Sequence, residues 1–168
     1  HLVETEVPPR ILEDWLELWS EHYGIPGKLS VKLRPHTAGS ELLELAVLDD
    51  MKNKLANVIF STIHDRWGNN FISVRDQNTF DDKLRQKRLM TLIHLFLIHR
   101  YKGVTIHYVS PTDDNQKQAQ GMKALGIYSE VNTEVGHIIV ARVNVDRVKE
   151  LISSDLTELK NFIAKRSA

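Results

Sequence analysis

Lys83, Arg85, Lys87 and Arg88 form a short basic run interrupted by the uncharged Leu84 and Gln86. Side chains of this kind could hold a phosphate through charge-assisted hydrogen bonds. They could equally be a solvated turn balanced by Asp81 and Asp82. Downstream, Ser110-Pro111 ends an alternating stretch, Asn115 stands at the mouth of the next helical pattern, and Gly126 closes it eleven residues later. Asn115 could donate to a ligand or could serve as a helix cap, a role that Asn fills often. The chain holds eight histidines. His94 and His99 sit five apart on one helical pattern and His107 on the following strand, with no H-E-x-x-H and no carboxylate at ligand spacing. Packed or surface histidines suit this pattern better than a metal centre. No G-x-S-x-G elbow occurs; Gly39-Ser40 lacks its context. Glu130 and Glu134 could pair as acid and base, and strand-edge solvation accounts for them equally well.

These residues need elements to position them. The stretch "PPRILEDWLELWSEHYG" reads as a helix, with Pro9 in its first turn, Gly24 at its end and a stripe of Ile11, Leu12, Trp15, Leu16, Leu18 and Trp19. Residues 28–35 alternate as a half-buried strand. Residues 41–50 are read as a strand, and 55–76 as a hairpin turning at Gly68-Asn69-Asn70. Residues 78–103 carry the strongest helical pattern, with Thr79 and Asp82 as a capping box, Leu89, Leu92, Ile93, Phe96 and Leu97 as its buried face, and Gly103 as its stop. A strand over 104–109, a helix over 115–126 and two strands around Gly136 follow, then two short helices. This order implies a mixed sheet with at least one right-handed parallel crossover.

The bulk numbers set limits. At 168 residues the chain suits one domain, able to bury about 70% of its extended-chain surface. A formal net charge of zero argues against a nucleic-acid partner. The absence of cysteine removes disulfides, thiolate metal sites and cysteine nucleophiles. Apolar runs fall far short of the roughly 20 residues of a membrane span, so no membrane role and a cytoplasmic location are expected. The chain opens on His1 rather than Met, which fits a piece excised from a larger protein.

Strand, long helix, strand, then an Asn with a Gly eleven residues on resembles the GNAT-type N-acetyltransferases, whose members often read N-x-x-A-x-x-L-Y-x-x-x-G-F at this point. The resemblance covers residues 28–143. It implies an α/β fold of α+β character, with a mixed, mostly antiparallel sheet and helices on both faces. It also implies an acyl-CoA in the V between two splayed strands. Val74 and Arg75 would offer a strand edge to the pantetheine arm. Arg85, Gln86, Lys87 and Arg88 would face the phosphates at the following helix, and Ser110 and Asn115 would form the far wall. The family's phosphate loop reads Q/R-x-x-G-x-G/A, whereas this chain has Arg88 and Met90 at the glycine positions. The family's proton-donating Tyr falls on Met122. No catalytic residue is therefore assigned, and no metal.

Residues 110–144, with "RVKELI" after them, resemble the C-terminal region of the long, type 2 isocitrate lyases. That resemblance implies one GNAT-like domain over 1–168 that binds acetyl-CoA or propionyl-CoA as an allosteric ligand and activates an attached lyase domain. No further cofactor is implied, and a homodimer is compatible with it. The lyase motif Lys-Lys-Cys-Gly-His is not here. The alternatives are an active GNAT-type acyltransferase and an interaction domain without a ligand.

Overall fold

The computed structural model describes residues 7–135, 137–153 and 155–165; Gly136 and, for its side chain, Glu134 lie outside them, so the Glu130–Glu134 pairing does too. The described elements run α1 (Pro9–Tyr23), β1 (Ser30–Pro35), β2 (Leu43–Leu48), β3 (Lys54–His64), β4 (Asn70–Thr79), α2 (Leu89–Tyr101), β5 (Gly103–Val109), α3 (Asp113–Ala124), β6 (Tyr128–Val135), β7 (Ile138–Val143), α4 (Val145–Leu151) and α5 (Thr157–Ala164). The seven strands form one sheet in the order β1-β2-β3-β4-β5-β7-β6. Its pairs are antiparallel except β4 with β5, which is parallel. Among the described residues no helix is long and apolar enough to cross a membrane.

The helix α1 follows its sequence pattern. Leu12, Trp15, Leu16 and Trp19 are buried, and Gly24 closes the helix at φ 67°. The helix α2 is apolar nearly all round, which marks a helix enclosed on all sides. It packs against α1 on one side and against β3, β4 and β5 on the other.

One expectation is corrected. The helix foreseen from residue 78 begins only at Leu89. Strand pairing wins the intervening residues, because Gln77, Asn78 and Thr79 lie opposite Val58, Asn57 and Ala56 of β3. Thr79 and Asp82 therefore form no capping box; Asp81 instead caps a single 3-10 turn, Asp82–Leu84, by accepting from the Lys83 amide. The left-handed closing residue of α2 is Lys102, at φ 53°. Gly103 already belongs to β5, where a Cβ would come within 2.8 Å of Ile72 Cδ1.

The expected mixed sheet is present, and two parallel crossovers, β4–α2–β5 and β5–α3–β6, carry helices along it. Burial alternates along β5 and β7: Ile106, Tyr108, Ile139, Ala141 and Val143 are buried, while their neighbours His107, Val109, Ile138 and Val140 are only half-buried.

Candidate functional site

The parallel pair β4–β5 holds register from Phe71 opposite Thr105 to Val74 opposite Tyr108. Beyond that point β4 runs on through Thr79 with β3 alone beside it, and β5 turns away at Ser110, φ 49°. The parted strands open a cleft of about 1330 Å³. Its walls are β4 from Val74 to Thr79, the loop to Arg88, the first turn of α2, the end of β5, and α3.

The loop and the first turn of α2 give the cleft its electrostatic character. Gln86 and Arg88 both adopt left-handed backbone, φ 61° and 63°. Arg88 stands at a position where the resembled family has glycine, and the backbone keeps the conformation that glycine would adopt freely. For a side-chain-bearing residue this costs about 1–2 kcal/mol. Arg88 is also the N-cap of α2 and makes no side-chain cap; the first helical bond is Leu92 N–H to Arg88 O, 3.0 Å. The amides of Leu89, Met90 and Thr91 precede that bond, and all three residues line the cleft. An uncapped helix start combines orphan donors with the positive end of the helix dipole, and so receives an anion well. The loop is held from beneath by Trp19, whose indole Nε1–H donates to Lys87 O at 2.6 Å.

The eight residues singled out from the sequence separate. Val74, Arg75, Arg85, Gln86, Arg88, Ser110 and Asn115 all line the cleft. Lys87 is not among its walls; its ammonium donates to Lys83 O. Arg85 is exposed, donates to Thr79 O at 3.1 and 3.3 Å, and pairs with Asp82 at 3.2 Å. Arg88 is committed to α5: its guanidinium donates to Phe162 O at 2.5 Å and sits 5.0 Å over the Phe162 ring. Burial there lowers its pKa. Asn115 is the N3 member of a reciprocal capping box, accepting from Thr112 N–H at 2.8 Å while its own N–H donates to Thr112 Oγ1 at 3.2 Å. The N-cap role foreseen for Asn115 belongs to Thr112, and Asn115 joins the cap from N3.

Sequence reasoning missed Gln77, Thr112, Lys117, Gln118 and Lys165, which also line the cleft. Gln77 falls past the strand end expected from the hairpin pattern, in what reads as a turn. Lys165 arrives from the C-terminal helix, 80 positions from Arg85 in number, and no local signal links them.

Beneath the cleft lies a buried polar cluster. His94 is 1% exposed. Its Nδ1 bonds Met90 O at 2.9 Å, its ring stacks on Tyr108 at 5.8 Å, and its Nε2 is buried with no partner among the described residues. The Tyr108 and Tyr128 hydroxyls bond each other, and burial raises the pKa of both far above the ordinary range. Met122, at the position of the family's proton donor, is buried against the cleft. Among the described residues, the cleft walls contain no His, Cys or Glu. His94, His99 and His107 go to separate partners, stacking on Tyr108, Trp15 and Phe71. Among the described residues no group of three His, Cys, Asp or Glu could hold a metal.

No family model matches the chain. It is 56% identical over 167 residues to an isocitrate lyase subunit of Mycobacterium tuberculosis H37Rv, covering 99% of this chain and 42% of that protein. The same identity over the same length relates it to isocitrate lyase 2 of M. tuberculosis Erdman, of which it covers 22%. The chain therefore spans less than half the length of these relatives. Among solved structures, that of a KacTA–DNA complex aligns at a TM-score of 0.50 with 7% identity, over 73% of this chain and 97% of that one. At that identity the likeness concerns the fold. The fold is the GNAT-like mixed, mostly antiparallel sheet that the sequence resemblance implied.

Proposed function

We propose that this homologue of a segment of isocitrate lyase proteins is a non-catalytic sensing domain, which binds acetyl-CoA or propionyl-CoA and shifts the activity of the lyase domain of a longer parent protein. The observation that carries it is the parting of β4 from β5 over the uncapped start of α2. The unpaired edge of β4 from Arg75 to Thr79 suits an extended amide-bearing arm. The amides of Leu89, Met90 and Thr91 suit its phosphates, with Arg75, Arg85, Lys117 and Lys165 on the same walls. Bulky Arg88 and Met90 replace small residues, so recognition moves from backbone toward side chain and binding is salt-sensitive. Activation follows if the ligand favours one of two states of the parent.

The test is thermal and calorimetric. Acetyl-CoA at about 100 times its dissociation constant should raise stability by about 2.7 kcal/mol. Reversing Arg85 and Lys165 to Glu together should remove that shift without lowering the melting point of the free chain. Arg88→Glu is a different experiment: it breaks the bond to Phe162 O and should destabilise the fold itself. In the parent protein, acyl-CoA should stimulate lyase turnover and the Arg85/Lys165 reversal should abolish the stimulation. No shift in the parent chain at millimolar ligand would sink this reading. Sustained CoA release with an amine acceptor would instead favour the acyltransferase, whose catalytic acid Met122 cannot supply.

A further inference from the structure

Gln77 and Gln118 reach across the cleft and touch. Gln77 lies on β4 past the point where β5 departs, and Gln118 lies on α3, on the opposite wall. Gln77 Nε2 donates to Gln118 Oε1. The bridge leaves Gln77 Oε1 and Gln118 Nε2 shut off from solvent, without a partner among the described residues. Two stranded polar atoms are a costly way to close a cleft, since a buried donor or acceptor without a partner loses its whole hydration. Exchanging oxygen and nitrogen on both side chains changes nothing essential: one wall is still left a donor and the other an acceptor.

We infer that Gln77 and Gln118 form an amide clamp, which holds itself shut in the empty cleft and exchanges its internal bond for a secondary amide of a ligand arm threaded between the two walls. A trans secondary amide is planar and points its C=O and its N–H in opposite directions. One wall then takes the carbonyl and the other the N–H. The class of ligand is set by that complement: an arm with amide linkages and not a plain alkyl chain, which would strand both glutamines. The clamp rests on the reading of the cleft as an acyl-CoA site, and it adds a recognition element that acts on the arm separately from the phosphates.

The experiment separates the two. CoA and adenosine 3′,5′-bisphosphate, which keeps the nucleotide and lacks the arm, are titrated calorimetrically into the parent chain and into Gln77→Leu and Gln118→Leu. Each variant should weaken CoA by roughly 3- to 10-fold, the usual worth of one neutral hydrogen bond, and leave the bisphosphate within twofold. The side-chain NH₂ resonances of Gln77 and Gln118 in the parent should move with CoA and stay in place with the bisphosphate, a readout that needs no variant to fold. CoA affinity that is unchanged or tighter in the variants would overturn the clamp and leave only a closure. Equal losses for both ligands, or resonances that ignore CoA, would overturn it too. A parent that binds neither ligand removes the acyl-CoA reading itself, and the clamp with it.

Discussion

Replacing Trp19 with alanine is expected to cost about 3–5 kcal/mol of folding stability, the usual penalty for emptying a buried aromatic site. Trp19 is fully buried, packs against Tyr23 at 5.7 Å and belongs to the core shared by α1 and α2. Its second role is local. The indole N–H holds Lys87 O at 2.6 Å, between the two left-handed residues Gln86 and Arg88. Those conformations cost energy and persist only where neighbours over-determine them. Trp19→Phe separates the roles, since it keeps an aromatic ring and drops the hydrogen bond. Its stability cost should stay near 1–2 kcal/mol, while amide exchange at Leu89, Met90 and Thr91 should accelerate and CoA affinity should fall. Urea unfolding and hydrogen exchange measure both. If Trp19→Phe leaves the exchange of those amides at the parent rate, the loop is shaped by its own residues and not by α1.

Most of the fold was legible because local pattern and tertiary environment agree. The stripe on α1 and the alternation of β1 bury the residues that their spacing says they should, and the Gly68 turn joins β3 to β4. The reading failed where pairing overrode propensity. Asn78 and Thr79 have the composition of a helix start, but β3 offers them a partner strand, and Asn78 Nδ2 donates to Asn57 Oδ1 at 3.0 Å. That cluster also explains a buried acid in β2: Glu44, 4% exposed, accepts from Asn57 at 2.8 Å and Lys54 at 2.6 Å. The composition of "ELLELAVLDD" carries no trace of those partners.

The site was half legible for a related reason. A run such as Arg85 to Arg88 announces charge but not direction. Lys87 and Arg88 differ from Arg85 only in which way the twisted loop aims them, and two left-handed residues aim Arg88 at Phe162. Gln77 and Gln118, 41 positions apart, meet only because β4 outlasts β5. No short-range pattern encodes that meeting. The spacing from Asn115 to Gly126 did locate the helix, because the capping box at Thr112 and Asn115 and the positive φ of Gly126 are local requirements.

Acid should unfold this protein along a limb that belongs largely to His94. The imidazole is fully buried, and desolvation lowers its pKa to about 4 against an ordinary value of 6.5. The Nδ1 contact to Met90 O opposes that shift and is outweighed. The groups around it supply no counter-charge, since Tyr108 and Tyr128 are held neutral by burial. The unfolded chain therefore takes up the proton first. Stability contributed by neutral His94 is complete above about pH 6.5 and is lost as pH falls toward 4, where the folded state also protonates. The depth of that loss is about 3 kcal/mol at 1.36 kcal/mol per pKa unit. Half-buried His99 and His107, also shifted down by desolvation, add to the same limb. The lowered carboxylates act later: Glu44, from an ordinary value of 4.5, and Asp49, Asp65 and Asp155, from 3.8, begin to weaken the fold only as pH falls through those values. Urea midpoints between pH 7 and 3 resolve the two regimes. His94→Phe keeps an aromatic ring against Tyr108 and removes the titration, so its limb above pH 4.5 should be shallower by about 2–3 kcal/mol. A variant whose midpoints fall with pH as steeply as the parent's would move the acid sensitivity away from His94.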